Sequence, residues 1–220
     1  MNIAFLGDSI TLGYALDDRS KRYATLVASK LDMTEENYGI TGTLVAKAGL
    51  NTTDGLDFVS RLDLIENADV AVIFGGTNDY FWSDRGIIGD DDSYFATAIE
   101  TVCKFVAEKR KNKKTLIVTP YPHNGIGNYF GGEHWRNDKS RHDTSEKNYS
   151  GNTLCDYAET IKSTAEKYGI PCLDLFDNFP FDHTIHTSDG CHPNEEGHKL
   201  LCEVISEKLK QMIQYKQNIK

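Results

Sequence analysis

The sequence predicts an α/β fold in which helices cover both faces of a parallel sheet, and three observations predict it. Five short β-type runs alternate with segments of helical pattern, as parallel strands joined by crossover helices require. The runs are almost continuously apolar, as in Val70–Phe74, which suits strands buried on both sides. Segments between them carry apolar residues at helical spacing. At 220 residues the chain suits one domain spanning 1–220, burying roughly 70% of the surface it exposes unfolded.

Taken in order, the strands are read at residues 3–6, at Asn37 and Tyr38, at Val70–Phe74, at 115–119 and at 172–175. Ile99, Val102, Cys103 and Val106 form one helical stripe, and Leu154, Ala158, Ile161, Ala165 and Tyr168 form another, so both helices are expected to pack on the sheet. Gly169 and Pro171 stop the second helix and launch the fifth strand. The last helix is read with Pro193 at its first position, Glu195 and Glu196 in its first turn, and Leu201, Ile205, Leu209 and Met212 on one face. Lysines and Arg110 within 109–114 fall where a helix ends, where cations favour the dipole. Two segments, 79–92 and 121–150, fit neither pattern; each follows a strand's carboxyl end, and both are expected to be substrate-facing loops.

Charge and composition exclude several function classes. A formal net charge of −9 leaves no basic footprint for nucleic acid and disfavours an anionic membrane surface. Residues 3–6 enter a strand without a leader pattern, and no apolar run is long enough for stable membrane insertion, so a cytoplasmic location is expected. Five cysteines without C-x-x-C spacing read as reduced thiols. Glycosylation-type triplets at Asn51 and Asn148 carry little weight without secretion. No G-x-x-x-x-G-K-[ST] or G-x-G-x-x-G segment supports nucleotide binding.

Four blocks carry chemistry. Gly7-Asp8-Ser9-Ile10-Thr11 follows the first strand and can present a hydroxyl at the strand's carboxyl end. Asn37 to Gly42 breaks a strand into glycines, which allow φ > 0 and a close approach of backbone N–H to a ligand. Gly75-Gly76-Thr77-Asn78-Asp79 follows the third strand and delivers an amide to the same edge. Asp189-Gly190-Cys191-His192-Pro193 precedes the last helix, at a spacing that lets a carboxylate orient an imidazole within one loop.

In this order the blocks resemble those of the SGNH/GDSL hydrolase family: G-D-S near the N-terminus, a glycine after the second strand, G-x-N-D after the third, and D-x-x-H near the C-terminus. The resemblance covers residues 3 to about 200. It implies a flavodoxin-like three-layer α/β/α sandwich with a five-stranded parallel sheet, and a serine esterase or acylhydrolase that needs no cofactor. It further implies Ser9 as nucleophile, Asp189 and His192 as the other triad members, and Gly42 and Asn78 as oxyanion-hole donors beside the Ser9 N–H. The chemistry agrees, since a serine hydroxyl needs a base, the base needs an orienting carboxylate, and the oxyanion needs preorganised donors.

Neighbouring residues invite other readings. Asp8 and Asp79 are expected to organise turns. His183 and His186 with His192 suggest zinc, but the loop lacks metal-ligand spacing on a helix, so no metal is expected. Cys191 beside His192 suggests a thiol nucleophile, which the complete Ser9 constellation makes redundant. A silent binding protein on the same fold is the non-enzyme rival. The expected partner is a small-molecule ester. Tyr121, Tyr129, Phe130, Trp135 and Tyr149 either stack on a sugar or pack their loop down. A short acyl chain on a carbohydrate or other polar alcohol is favoured, with lysophospholipase or thioesterase activity as the alternative.

Overall fold

All strand pairings in the sheet are parallel, and their order, β2-β1-β3-β4-β5, reverses direction beside β1. The strands are β1 (Asn2–Gly7), β2 (Thr34–Gly39), β3 (Val70–Phe74), β4 (Lys114–Val118) and β5 (Cys172–Leu173). The computed structural model describes residues 1–47, 55–123, 146–177 and 179–214. The Asn51 triplet, Tyr129, Phe130, Trp135, most of the segment 121–150 and the side chain of His183 lie outside the described residues.

Because side chains alternate along a strand, each central strand supplies two cores. Ile3, Phe5, Val72 and Leu116 face one layer, where α2 (Tyr23–Lys30) and α7 (Glu195–Gln214) pack through Val27, Leu201 and Ile205. Ala4, Leu6, Ala71 and Ile73 face the other, where α4 (Phe95–Lys109) and α5 (Leu154–Lys167) pack through Ile99, Val102 and Ile161. The three-layer sandwich follows. Every residue of β3 is buried, as its unbroken apolar run requires. β2 instead reads Thr-Glu-Glu-Asn-Tyr-Gly and is half-buried because it pairs with β1 alone at the sheet edge; hence it extends well beyond the two residues legible as strand.

Other differences have equally local causes. The segment 79–92 opens inside a helix, α3 (Thr77–Trp82), which buries Tyr80 and Phe81, so its first residues are framework rather than loop. Lys109 closes α4 as expected, but Arg110 turns inward. Its guanidinium donates to the carbonyls of Ile65, Glu66, Ala68 and Lys114 and to Thr115 Oγ1, closing a loop that would otherwise bury unpaired oxygens. α7 starts at Glu195, not Pro193; Asn194 caps it by accepting from the Gly197 N–H (3.0 Å), while Pro193 forms a bridge to Thr187. Among the described residues no helix is long and apolar enough to cross a membrane.

Register sets the working edge. Gly7 lies opposite both Gly39 and Phe74, so the residues that follow β1, β2 and β3 emerge together where the strand order reverses. β2 passes the first turn after β1 only because residue 39 is glycine: a Cβ there would lie 2.3 Å from the Leu12 backbone nitrogen. The loop after β2 is strapped to α3 by Asp79, whose two carboxyl oxygens accept from the N–H groups of Val45 (2.9 Å) and Ala46 (3.0 Å).

Burial pushes the Asp79 carboxyl up to about 7 despite those donors. A carboxyl raised in the folded state contributes its full stability below its unfolded pKa and loses it as pH rises through 7. Asp79→Asn places an NH2 against one N–H donor and is expected to cost about 1–3 kcal/mol. Chemical denaturation of both proteins should show the wild-type advantage largest near pH 4 and shrinking towards pH 8. An advantage that grows with pH would mean that the two N–H donors outweigh burial.

Candidate active site

β1 ends at Gly7, and the chain turns at once into α1 (Ser9–Leu12), a single helical turn held at both ends. Asp8 caps its start, Oδ1 accepting from the Ile10 N–H (2.9 Å). Gly13, left-handed at φ 82, ends it, and the Ser9 carbonyl accepts from the N–H groups of Gly13 and Tyr14. Ser9 is thus fixed at the floor of a cleft of about 250 Å3 that Tyr14, Gly42, Asn78, Phe81, Trp82 and His192 also line.

The Asp189-to-His192 block meets it from the far end of the chain. His192 Nε2 lies 3.0 Å from Ser9 Oγ, and His192 Nδ1 lies 2.7 Å from Asp189 Oδ2. The second carboxyl oxygen, Oδ1, accepts from the N–H groups of Cys191 (3.0 Å) and His192 (2.7 Å). Burial pushes the Asp189 carboxyl up, but its bond to the imidazole, the imidazole's charge and these two N–H donors outweigh that and hold it at about 2. In the neutral imidazole, an ionised carboxylate on Nδ1 fixes the proton there, which leaves Nε2 as an acceptor facing the serine hydroxyl. The arrangement can therefore take a proton from Ser9.

The loop itself is pinned from three sides. Thr187 and Pro193 form an antiparallel bridge, and the Ser188 N–H donates to the His192 carbonyl (2.9 Å). Thr187 Oγ1 accepts from the Gly190 N–H (2.8 Å). Tyr121, expected in a substrate-facing loop, is fully buried after β4, where its hydroxyl donates to the Cys191 carbonyl (2.6 Å). Of the other expected loop aromatics, Tyr149 is exposed.

Gly42 and Asn78 border the same cleft. Gly42 has φ 77, a left-handed conformation that glycine adopts without strain. Asn78 Nδ2 donates to the Thr43 carbonyl at 3.1 Å and reaches Asp8 Oδ2 only at 3.4 Å. The second, long contact leaves one N–H with capacity for a ligand oxygen. Arg61, unmarked in the sequence reading, joins these parts: its guanidinium donates to the carbonyls of Tyr38 (2.6 Å) and Gly7 (3.3 Å) and to Thr43 Oγ1 (3.1 Å). Nothing in the spacing around Arg61 marks it, because its partners are distant backbone atoms.

Asp8 caps the turn it precedes, whereas Asp79, expected to organise its own turn, lies within α3 and holds the distant loop after β2; burial pushes Asp8 up to about 6. Cys191 is buried, and burial raises its thiol well above the ordinary value, which leaves it un-ionised and a poor nucleophile. The five cysteines are free. His186 Nδ1 accepts from the Asp182 N–H (2.9 Å), and among the described residues no three His, Cys, Asp or Glu side chains converge as a metal centre requires. A larger cavity, about 470 Å3, lies at the opposite ends of the strands beside Lys114 and Pro171, away from Ser9 and His192.

Solved structures share this fold over nearly the whole chain. A protein from Lactobacillus plantarum is 25% identical with a TM-score of 0.74, covering 97% of this chain and 96% of its own. A carbohydrate acetylesterase family member from Sinorhizobium meliloti (15% identity, TM-score 0.65) covers 96% of this chain and 99% of its own. The native M. smegmatis aryl esterase (17% identity, TM-score 0.65) covers 96% and 98%. Among curated proteins none matches. The model of the GDSL-like lipase/acylhydrolase family matches residues 5–200, a span that contains every block gathered in the cleft, and the chain belongs to that family.

Proposed function

We propose that the protein is a serine esterase that transfers a short acyl group from an ester to Ser9 and then to water. The observation that carries this reading is the continuous hydrogen-bonded line Asp189–His192–Ser9 at the cleft floor. Ser9 Oγ attacks the ester carbonyl carbon while His192 Nε2 takes its proton, and Asp189 stabilises the imidazolium that forms. The carbonyl oxygen, now negative, is received by the N–H of Ser9, the N–H of Gly42 and Asn78 Nδ2. The bond to the alcohol oxygen breaks as His192 returns the proton to it. Water repeats the sequence on the acyl-enzyme, with His192 again as base.

A short acyl chain and a polar alcohol fit best. The cleft volume of about 250 Å3 lies below the roughly 300–1,000 Å3 usual for larger ligands, and Phe81 and Trp82 close one wall. A long chain would leave methylenes in water, where the ~0.8 kcal/mol each gains on burial is absent. The likeness to a carbohydrate acetylesterase family member supports an acetylated sugar or similar polar ester as substrate.

Ser9→Ala is expected to abolish hydrolysis of p-nitrophenyl acetate, because losing such a nucleophile costs on the order of 10⁴-fold or more. Circular dichroism should show the fold intact; more than about a hundredth of wild-type kcat would exclude Ser9. A wild type inert on every ester would favour the silent binding protein.

Asn78→Ala is expected to lower kcat by roughly 10²–10³ with little change in KM, since the donor acts on charge that develops in the transition state. A raised KM at constant kcat would make Asn78 a ground-state binding group.

Across p-nitrophenyl esters from C2 to C12, measured below their micelle concentrations, kcat/KM should peak at acetate or butyrate. A maximum at C8 or beyond would replace the short-acyl reading with the lysophospholipase or thioesterase one.

A further inference from the structure

We infer that Tyr14 is the specificity-determining residue for the alcohol half of the ester, a flat platform that selects a ring-shaped alcohol such as a pyranoside; the inference rests on the esterase reading above. Its ring centroid lies 4.6 Å from that of His192, the two planes inclined at 54°. Nearly half of the residue, 47%, remains exposed, at the rim of the cleft that holds Ser9. Its hydroxyl has no hydrogen-bond partner among the described residues.

The chemistry assigns the two halves of an ester to different sides of this cleft. The carbonyl oxygen must point to the Gly42 and Asn78 side. The alcohol oxygen must come within hydrogen-bond reach of His192 Nε2, because that nitrogen returns the proton as the bond breaks. Whatever carbon frame the alcohol carries therefore lies against the surface that adjoins the imidazole, and Tyr14 supplies that surface. A wall for the acyl group would instead come from Phe81 and Trp82.

Tyr14 is also built to stay in place. Its N–H donates to the Ser9 carbonyl (2.9 Å), and it stands between Gly13 and Ala15, both left-handed, at φ 82 and 69. Arg22 Nη1 holds the preceding turn through the Leu12 carbonyl (3.2 Å). The platform thus moves with the nucleophile's own turn. A rigid aromatic face offers contact area at low entropic cost, and its free hydroxyl suits an alcohol bearing further hydroxyls.

The test compares two acetate esters that differ only in the alcohol: ethyl acetate and a monoacetylated methyl pyranoside. Wild type is expected to prefer the pyranoside ester in kcat/KM. Tyr14→Ala should reduce that preference by about tenfold, through KM for the pyranoside, as the loss of one stacking contact predicts. Tyr14→Phe should keep it within threefold, while Tyr14→Leu, apolar but not flat, should lose it. An equal fall in kcat on both esters would mean that Tyr14 only steadies His192, and an unchanged preference in all variants would mean that the alcohol binds elsewhere; either overturns the inference while leaving the esterase intact. A wild type that cleaves neither these esters nor p-nitrophenyl acetate overturns the esterase reading and this inference together.

Discussion

The parallel register of three strands is the constraint on which the rest of the molecule depends. With Gly7 opposite both Gly39 and Phe74, three separate loops must leave the sheet at one edge and at one height. Parallel strands demand crossovers, crossovers demand helices on both faces, and helices on both faces demand strands apolar on every residue, as β3 is. The sequence pattern, the sandwich and the position of the cleft are consequences of one pairing scheme. A strand slipped by one residue would turn Ile73 to the wrong core and carry Asn78 away from Ser9.

Holding loops together at a sheet edge means burying polar groups, and this fold does so with long-range side-chain bonds to backbone. Asp79 closes two N–H groups of the loop after β2, Arg61 gathers carbonyls from the ends of β1 and β2, and Tyr121 fixes the Cys191 carbonyl beside His192. Each is costly to bury alone and is offset by its partners: two N–H groups for Asp79, several oxygens for Arg61 and one carbonyl for Tyr121. Burial pulls the guanidinium groups of Arg61 and Arg110 down to about 10, so both stay charged at neutral pH among carbonyl oxygens. An acidic chain thus keeps two of its cations inside, each bonded to backbone oxygens.

What was legible in the sequence was whatever is written locally. The apolar runs of β1, β3 and β4 name themselves, as do the stripes of α4, α5 and α7. The four blocks are legible because a hydroxyl and an amide sit beside glycines just past a strand, a glycine-broken segment ends another, and an imidazole sits three residues after a carboxylate just before the last helix. Arg61 and the partner of Tyr121 were not legible, since the groups they bond lie 18 to 70 positions away and only the folded chain brings them near. β2 was half hidden because an edge strand needs no apolar run. Pro193 suggested a helix start by residue type alone, yet the bridge to Thr187 holds it outside and leaves the cap to Asn194. The segment 79–92 looked polar enough for a loop, but Tyr80 and Phe81 face a core that the linear pattern does not display.

Ser9 and His192 meet across 183 positions of chain, one at the first strand's end and the other just before the final helix. Their hydrogen bond is therefore among the least local contacts in the molecule, and α7, which follows His192, packs beside α2, which follows Ser9. The turn that holds Ser9 is local, with Asp8 accepting from the Ile10 N–H, but the imidazole facing it comes from the far end of the chain. The Ser9–His192 pair is therefore a product of the whole fold, and no local segment of the chain contains it.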